Sequence, residues 1–295
     1  MRTLLLHNPA AGAEEPSAEA LMDLLSGAGF SPKYQSSKDD YKKVLGKEWD
    51  LVIVAGGDGT VTRAARALRC SSNRTLAILP VGTANNIART LGLSGDIETL
   101  ISGLESAKPR RLDMGLACGP WGKRRFLEAV GFGTIAKAMA HSDGGPKPPL
   151  ELRIHWGRED LQQFLEEATA APFEITVDSE VFTGEFLLLE ILNLGRTGPA
   201  LPISSTAAHD DGHFDIVFLF KHDRAPMLSW LENPERDPPP VTVRKGRDIR
   251  LNWEHSHARI DDRVYYPPKS ASPVEITLDD CDLRVLVPPP AGLGG

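Results

Sequence analysis

The chain has 295 residues, of which 41% are hydrophobic and 25% charged, and its formal net charge at pH 7 is -7. This length supports one large domain or two ordinary ones, and the composition is that of a folded globular protein. The negative charge argues against a nucleic-acid partner, because nucleic acids attract clustered lysine and arginine. No apolar stretch approaches the roughly 18 residues of a membrane-spanning helix, so we predict a cytoplasmic protein.

Three consecutive segments near the N-terminus each combine a short apolar strand, a polar turn with glycine and a helix. The predicted strands are 3–6, 50–54 and 75–79. The predicted helices are 18–25, 61–68 and 87–91. This alternation is typical of a parallel sheet, so we expect residues 1–113 to form an α/β domain.

The turn after the second strand contains Gly56, Gly57, Asp58, Gly59 and Thr60. Glycines let a backbone turn sharply and approach a ligand, and the N–H groups that start the next helix can hold an anion. A carboxylate beside phosphates is repulsive unless a cation or ordered water lies between them, so Asp58 is a candidate Mg²⁺ ligand. A turn without any ligand is the alternative. Because three such units recur, we favour a nucleotide site at the carboxyl ends of parallel strands.

From about residue 115 the pattern changes to short strands separated by turns. The predicted strands are 126–130, 173–177, 185–192, 215–220, 241–243, 248–251 and 274–278. Two helices are predicted among them, at 133–140 and 160–168. We therefore predict that the α/β nucleotide-binding domain with its parallel sheet is followed by a second, β-rich and sandwich-like domain at residues 114–281.

Seven segments together carry a family resemblance. They are residues 8–12 (NPAAG), 56–60 (GGDGT), 80–89 (PVGTANNIAR), 112–115 (LDMG), 193–199 (NLGRTGP), 211–215 (DGHFD) and 260–262 (IDD). In this order they resemble the catalytic fold of diacylglycerol kinases and related lipid kinases, including bacterial lipid kinases and sphingosine kinases. The segment at 56–60 alone is shared with NAD kinases, so the ordered set is what points to lipid kinases.

The resemblance implies an ATP-dependent kinase that phosphorylates the hydroxyl of a diacylglycerol-like or other lipid, with ATP and Mg²⁺ as cofactors. The nucleotide-binding residues that it implies are Asn8, Pro9, Gly12, Gly56, Gly57, Asp58, Gly59, Thr60, Gly82, Thr83 and Asn85. For Asn8 and Asn85, capping of the local turn is the alternative. The resemblance also implies that a last strand within residues 282–290 returns to the first domain.

Three aspartates are the metal-site candidates. In the family, a network of water and metal involves residues that correspond to Asp58, Asn86 and Asp113. Here Asn86 replaces an aspartate, and an amide accepts a hydrogen bond but brings no charge. Asp211 lies in a segment that holds a structural divalent ion in some relatives, and a plain turn is the alternative.

Asp261 is the candidate general base, because residues 260–263 align with the segment that carries this base in bacterial relatives. Two departures accompany it: Asp262 replaces a glycine, and Arg263 replaces a glutamate. Arg63 is a third departure, since relatives carry an acid there. A polar turn between strands is the alternative for Asp261, and these departures motivate a second hypothesis, a regulatory nucleotide-binding protein that has lost kinase activity. A kinase of a soluble polyol or of NAD is a third.

A lipid substrate is the expected partner, and transient peripheral membrane contact and a homodimer are compatible with the sequence. Any membrane contact must be local, with residues 108–111 and 123–125 as basic candidates or as solvated basic turns. The apolar residues that could line a lipid site, or form ordinary core, are Phe126, Phe132, Phe186, Leu188 and Leu192. The cysteines at 70, 118 and 281 are far apart, so we expect reduced thiols.

Overall fold

The computed structural model describes residues 1–12, 16–68, 75–142, 148–281 and 283–289. The chain divides into two compact units. The first contains Met1–Leu112 and Cys281–Gly295, and the second contains Asp113–Asp280. Cys70 and residues 282 and 290 of the expected return segment lie outside the described residues.

The first unit is built on a six-stranded sheet in the order β2-β1-β3-β4-β17-β5. Its strands are β1 (Thr3–His7), β2 (Lys33–Ser36), β3 (Leu51–Gly56), β4 (Thr75–Pro80), β5 (Lys108–Leu112) and β17 (Leu283–Val287). All pairings are parallel except that of β17 with the edge strand β5. Every residue of β1 and β3 is buried, which is the pattern of central parallel strands covered on both faces.

The helices of the first unit follow the strands as the α/β pattern predicts. They are α1 (Ala18–Gly27), α2 (Tyr41–Leu45), α3 (Asp58–Ala67), α4 (Asn86–Thr90) and α5 (Ile97–Ser102). Ser17 caps the N-terminus of α1, since its Oγ accepts a hydrogen bond from the Ala20 N–H at 3.2 Å. Leu21 and Leu25, four residues apart, bury the same face of that helix.

The second unit contains an antiparallel sheet of eleven strands. They are β6 (Gly115–Gly119), β7 (Gly122–Phe126), β8 (Ala129–Gly133), β9 (Ala171–Val177), β10 (Glu180–Leu192), β11 (Phe214–Phe220), β12 (Thr242–Gly246), β13 (Ile249–Trp253), β14 (Ala258–Ile260), β15 (Arg263–Tyr265) and β16 (Ser272–Leu278). Among the described residues of this unit, the α-helices are α6 (Thr134–Ser142), α7 (Arg153–Glu167) and α8 (Arg224–Glu232). The predicted fold class, an α/β domain with a parallel sheet followed by a β-rich domain, is confirmed.

Two expectations are corrected by the structure. The predicted strand 126–130 is two strands, because β7 ends at Phe126 and β8 begins at Ala129. Between them the N–H groups of residues 127–129 donate to the buried carboxylate of Asp261. The expectation of reduced thiols is wrong for Cys281, which is disulfide-bonded, whereas Cys118 is free. Within the described ranges, no helix is both long and apolar enough to cross a membrane.

Candidate functional site

The first unit brings three polar turns to one edge of its sheet. β3 lies between β1 and β4 and is parallel to both, so the carboxyl ends of the three strands point the same way. The first turn starts at Asn8, whose N–H donates to the Ala55 carbonyl at 2.8 Å. The second turn leads from Gly56 into α3, and the third leads from Pro80 into α4. The turns are therefore neighbours, as a nucleotide site at parallel strand ends requires.

The second and third turns touch through glycine backbone. A Cβ added to Gly82 would lie 2.3 Å from the Gly57 Cα and 2.9 Å from the Gly57 N. A Cβ added to Gly57 would lie 3.0 Å from the Gly82 Cα. Gly12 brings the first turn to the third in the same way, since its Cβ would lie 3.0 Å from the Val81 carbonyl oxygen. Only residues without side chains allow this approach, so the predicted glycines are what lets the three turns pack closely.

Asp58 binds the start of the helix that follows the third turn. Its Oδ2 accepts from the Asn86 N–H and its Oδ1 from the Ile87 N–H, both at 2.9 Å. A carboxylate is favourable there because the first N–H groups of a helix lack partners within the helix and carry partial positive charge. Asp58 therefore links the second turn to α4. Its two partners lie 28 and 29 positions further along the chain, and the sequence did not reveal these contacts.

Asn85 organises the third turn from within. Its backbone is left-handed, with φ of 49°, a conformation that asparagine tolerates better than most residues. The Oδ1 accepts from the Gly82 N–H at 3.1 Å, and the Nδ2 donates to the carbonyls of Gly82 and Pro80 at 2.9 and 3.2 Å. This geometry matches the turn-capping alternative. Asn8 makes a weaker contact of that kind, accepting from the Ala10 N–H at 3.4 Å.

The remaining predicted nucleotide residues lie in the same turns. Gly59 is in the first turn of α3, and Thr60 beside it is buried. Pro9 and Thr83 are half-buried in the first and third turns. Arg63 points back to this helix start, with its Nη2 donating to the Thr60 Oγ1 at 3.3 Å. This departure from the family pattern thus lies within the candidate phosphate site rather than on a remote surface.

In the second unit, Asp261 is almost fully buried in a nest of backbone N–H groups. Its Oδ1 accepts from the N–H groups of Leu127, Glu128 and Ala129 at 3.3, 2.8 and 3.2 Å. Its Oδ2 accepts from Leu127 at 3.1 Å. Asp261 also has a left-handed backbone, with φ of 51°. These contacts explain why 126–130 is not one strand, since the N–H groups of 127–129 serve the carboxylate.

A buried ionic cluster, which the sequence did not predict, supports this nest. The Arg259 guanidinium donates to Glu190 Oε2 at 2.6 Å, to Glu128 Oε1 at 3.1 Å and to the Asp261 carbonyl at 3.0 Å. Thr197 closes the cluster by donating to Glu128 Oε1 at 3.1 Å and accepting from Arg259. Burial raises the pKa of Glu190, and Arg259 opposes that rise. Burial lowers the pKa of Arg259, but the carboxylates of Glu190 and Glu128 outweigh it and raise that pKa overall.

Asp113 and Asp211, the other metal-site candidates, are close together in the second unit. Asp113 Oδ2 accepts from the Gly212 N–H at 2.8 Å, directly beside Asp211. Asp211 Oδ2 accepts from Lys245 Nζ at 2.7 Å. Burial raises the pKa of Asp211, but hydrogen bonds from Lys245 and the His213 N–H outweigh it and lower that pKa overall. Asp58 and Asn86 belong to the first unit, so their predicted network with Asp113 stays a prediction.

No group of three or more histidine, cysteine, aspartate or glutamate side chains that could hold a metal ion occurs among the described residues. The apolar residues that we considered for a lipid site are core residues. Phe126, Phe132 and Phe186 belong to one buried cluster of the second unit. Leu188 and Leu192 belong to another. The structure therefore favours the alternative, ordinary core, for these five.

Comparisons with known proteins find the same family that the ordered motifs resemble. Residues 2–117 match the family model of the diacylglycerol kinase catalytic domain. A diacylglycerol kinase of Bacillus subtilis is 25% identical over 241 residues, which cover 77% of this chain and 76% of that protein. One of Staphylococcus saprophyticus is 26% identical over 267 residues, which cover 85% of each chain. The family resemblance predicted from the motifs is confirmed.

Solved structures agree on the fold. The crystal structure of a diacylglycerol kinase from Bacillus anthracis aligns with a TM-score of 0.69 at 21% identity and covers 98% of this chain and 97% of that one. An NAD kinase from Archaeoglobus fulgidus, solved in complex with ATP, aligns with a TM-score of 0.55 at 12% identity and covers 98% and 94% of the two chains. At these identities the likeness concerns the fold alone.

Proposed function

We propose that this chain, whose residues 2–117 match the diacylglycerol kinase catalytic domain, is an ATP-dependent kinase that phosphorylates the hydroxyl of a diacylglycerol-like lipid. The observation that carries the proposal is the contact between Gly57 and Gly82, where two turns meet through bare backbone. A polyphosphate needs such a surface, because side chains would keep it away from the N–H groups that neutralise it.

ATP is the phosphoryl donor in this proposal, and the three turns hold it. The first turn contributes Asn8, Pro9 and Gly12, the second contributes residues 56–60, and the third contributes Gly82, Thr83 and Asn85. Asn85 would contribute to ATP binding indirectly, by fixing the shape of the third turn, because its side chain is hydrogen-bonded within that turn. Arg63, held at Thr60, would add a positive charge next to the phosphates.

Mg²⁺ would enter with ATP rather than bind to a protein-only cage. This fits the donor set, since the described residues offer no cluster of three acidic or histidine ligands. Mg²⁺ typically uses one or two carboxylates and completes its shell with phosphate oxygens and water. When bound, the ion offsets the charge that develops on the transferred phosphoryl group. Asp58 is our candidate carboxylate, and its hydrogen bonds to α4 would keep it oriented.

Asp261 remains our candidate for the general base. A base must reach the proton that it removes in the substrate complex, and hydrogen bonds at such sites often rearrange on binding. The nest of N–H groups around Asp261 also supports a purely structural role, in which the carboxylate fixes residues 127–129. The two roles predict different effects of Asp261→Asn on turnover.

The direct test is a phosphoryl-transfer assay with the purified protein. It would be incubated with ATP labelled at the γ-phosphate, Mg²⁺, and detergent micelles that contain diacylglycerol. Parallel reactions would contain a long-chain amino alcohol, glycerol or NAD. We expect label in phosphatidate. Label in NADP or in glycerol phosphate would replace the proposed acceptor, and ATP binding without any labelled product would support the regulatory alternative, which the family match does not favour.

A further inference from the structure

Asp211, Asp215 and Lys245 form a compact charge cluster in the second unit. Asp215 and Lys245 lie directly opposite each other on the antiparallel strands β11 and β12. Lys245 Nζ is 2.7 Å from Asp211 Oδ2 and 3.5 Å from Asp215 Oδ1. One ammonium group thus contacts two carboxylates. Both carboxylates belong to the segment 211–215, which resembles the one that holds a divalent ion in some relatives.

Both carboxylates of the cluster also accept hydrogen bonds from neutral donors. Asp215 has only 1% of its surface exposed, and its Oδ2 accepts from Ser204 Oγ and Thr206 Oγ1, both at 2.5 Å. Asp211 Oδ1 accepts from the His213 N–H at 3.0 Å. Each of these two carboxylates therefore uses one oxygen for neutral donors and turns the other toward Lys245.

We propose that Lys245 is a built-in cation that takes the place of a divalent ion at Asp211. A buried carboxylate such as Asp215 is costly without a positive partner, and the ammonium group supplies that charge without any ion from solution. A divalent ion needs at least six oxygen ligands at about 2.0–2.6 Å. A divalent ion that binds Asp211 Oδ2 would have to displace the Lys245 ammonium, because two cations this close to the same oxygen would repel each other strongly.

Two consequences follow from this arrangement. The second unit of the wild-type protein should fold without a divalent ion at Asp211. Removal of the Lys245 charge should leave Asp211 and Asp215 without the ammonium group that contacts both carboxylates, which creates a site that a divalent cation can fill. Both consequences concern folding rather than catalysis, so they stand or fall independently of the proposed kinase function.

The test is thermal unfolding of the full chain without nucleotide, in EDTA and in increasing MgCl₂ or CaCl₂. Lys245→Met keeps most of the aliphatic stem and removes the charge. We expect its melting temperature in EDTA to fall by at least about 2 °C and to recover with either cation in a saturable manner. The double variant Lys245→Met, Asp211→Asn should lose that recovery. The matched control is Arg250→Met, which removes a more exposed partner of Asp248 and should gain no cation response.

The wild-type protein itself provides the measurement that does not depend on any variant folding well. Its melting temperature should be the same in EDTA and in either cation. Any change that the Asp211→Asn variant shows to the same extent does not involve binding at Asp211. A saturable cation stabilisation of the wild-type protein that Asp211→Asn abolishes would overturn the proposal, because a divalent ion would then bind despite Lys245. A well-folded Lys245→Met variant that ignores both cations would also overturn it.

Discussion

Asp58 and Asn86 are joined across two turns of the first unit, with the Asp58 Oδ2 accepting from the Asn86 backbone N–H at 2.9 Å. The same carboxylate accepts from the next N–H, that of Ile87, so its charge lies at the start of α4. The glycine-rich turn and the third turn are therefore coupled by a charged hydrogen-bond pair as well as by the glycine contact. A metal role for Asp58 would be built on this structural one.

The substitution Asp58→Asn should lower phosphoryl transfer at least about 100-fold, because it removes the charge proposed to organise Mg²⁺. It should also weaken the capping of α4, since an amide nitrogen cannot accept a hydrogen bond, at a cost of about 1 kcal/mol of folding free energy. Steady-state kinetics and urea unfolding measure the two effects separately.

Asp96→Asn is the matched control for this experiment. Asp96 caps α5 in the same unit by accepting from the Thr99 N–H at 2.7 Å, and it lies outside the candidate site. We expect a small loss of stability and unchanged turnover. If Asp58→Asn retained turnover within a few fold of wild type, Asp58 would be a helix cap and nothing more.

The substitution Gly82→Ala should weaken ATP binding at least tenfold, because its Cβ would lie 2.3 Å from the Gly57 Cα and would force the two turns apart. Isothermal titration calorimetry with ATP measures the effect. Gly27→Ala is the control, since a Cβ at this exposed helix position meets nothing within 4 Å. Unchanged ATP affinity in a folded Gly82→Ala variant would show that the joined turns are not the phosphate site.

The sequence predicted the three turns well because each one is local. A short apolar strand, a glycine turn and a helix are encoded within a few neighbouring residues, and parallel strands then bring the turns together. The structure adds what local sequence lacks. The two anchors of α4 and of the third turn, Asp58 and Asn85, are defined by partners that only folding identifies.

The cluster in the second unit could not have been predicted in this way. Arg259 and Glu128 are 131 positions apart, and the Glu128 N–H and Asp261 are 133 apart. The apolar run 126–130 around Glu128 does not identify the distant arginine that Glu128 contacts, and a charged residue normally indicates a solvent-facing position. The pairing of β14 with β8 brings these residues together, which is a consequence of the whole sheet.

The substitution Arg259→Met should destabilise the second unit by about 3–5 kcal/mol, because removal of one partner leaves buried carboxylates without a counter-charge. Glu190 has no exposed surface, so it has no access to water as a substitute partner. Urea unfolding measures the loss. Arg250→Met, which removes an exposed arginine on β13, should change stability by less than about 0.5 kcal/mol. Similar effects of the two substitutions would contradict this account.

His7 predicts how folding stability depends on pH. Burial lowers its pKa below the ordinary value of 6.5, and its Nδ1 lies 3.4 Å from the Tyr34 hydroxyl. The unfolded chain therefore binds a proton at higher pH than the folded one, so the free energy of unfolding should fall as the pH drops through about 6.5. Urea unfolding between pH 7.5 and 5.5 would show this slope.

The variant His7→Asn should show a shallower slope over the same pH range. A residual slope is expected from His257, whose pKa is lowered by burial and by the charge of Lys137. Parallel curves for the wild type and His7→Asn would show that His7 does not titrate differently in the folded state.

The substitution Asp261→Asn separates a general base from a structural anchor. Both roles predict lower stability, by about 1–3 kcal/mol, because the amide cannot accept every hydrogen bond that Leu127, Glu128 and Ala129 donate. Only the base role predicts that turnover falls by roughly 10²- to 10⁴-fold at a temperature where the variant is fully folded. It also predicts that ATP affinity barely changes, since the base acts on the acceptor hydroxyl.

The pH dependence of kcat gives a readout that a structural anchor would not change. If Asp261 removes the proton, the acid limb of the wild-type profile reports its protonation, and this limb should vanish in Asp261→Asn. Asp262→Asn, one residue away on the exposed side of the same turn, is the control and should keep both the limb and the turnover. If the folded Asp261→Asn variant kept wild-type turnover and the acid limb, the carboxylate would serve only to hold residues 127–129, and the base would have to be sought elsewhere in the chain.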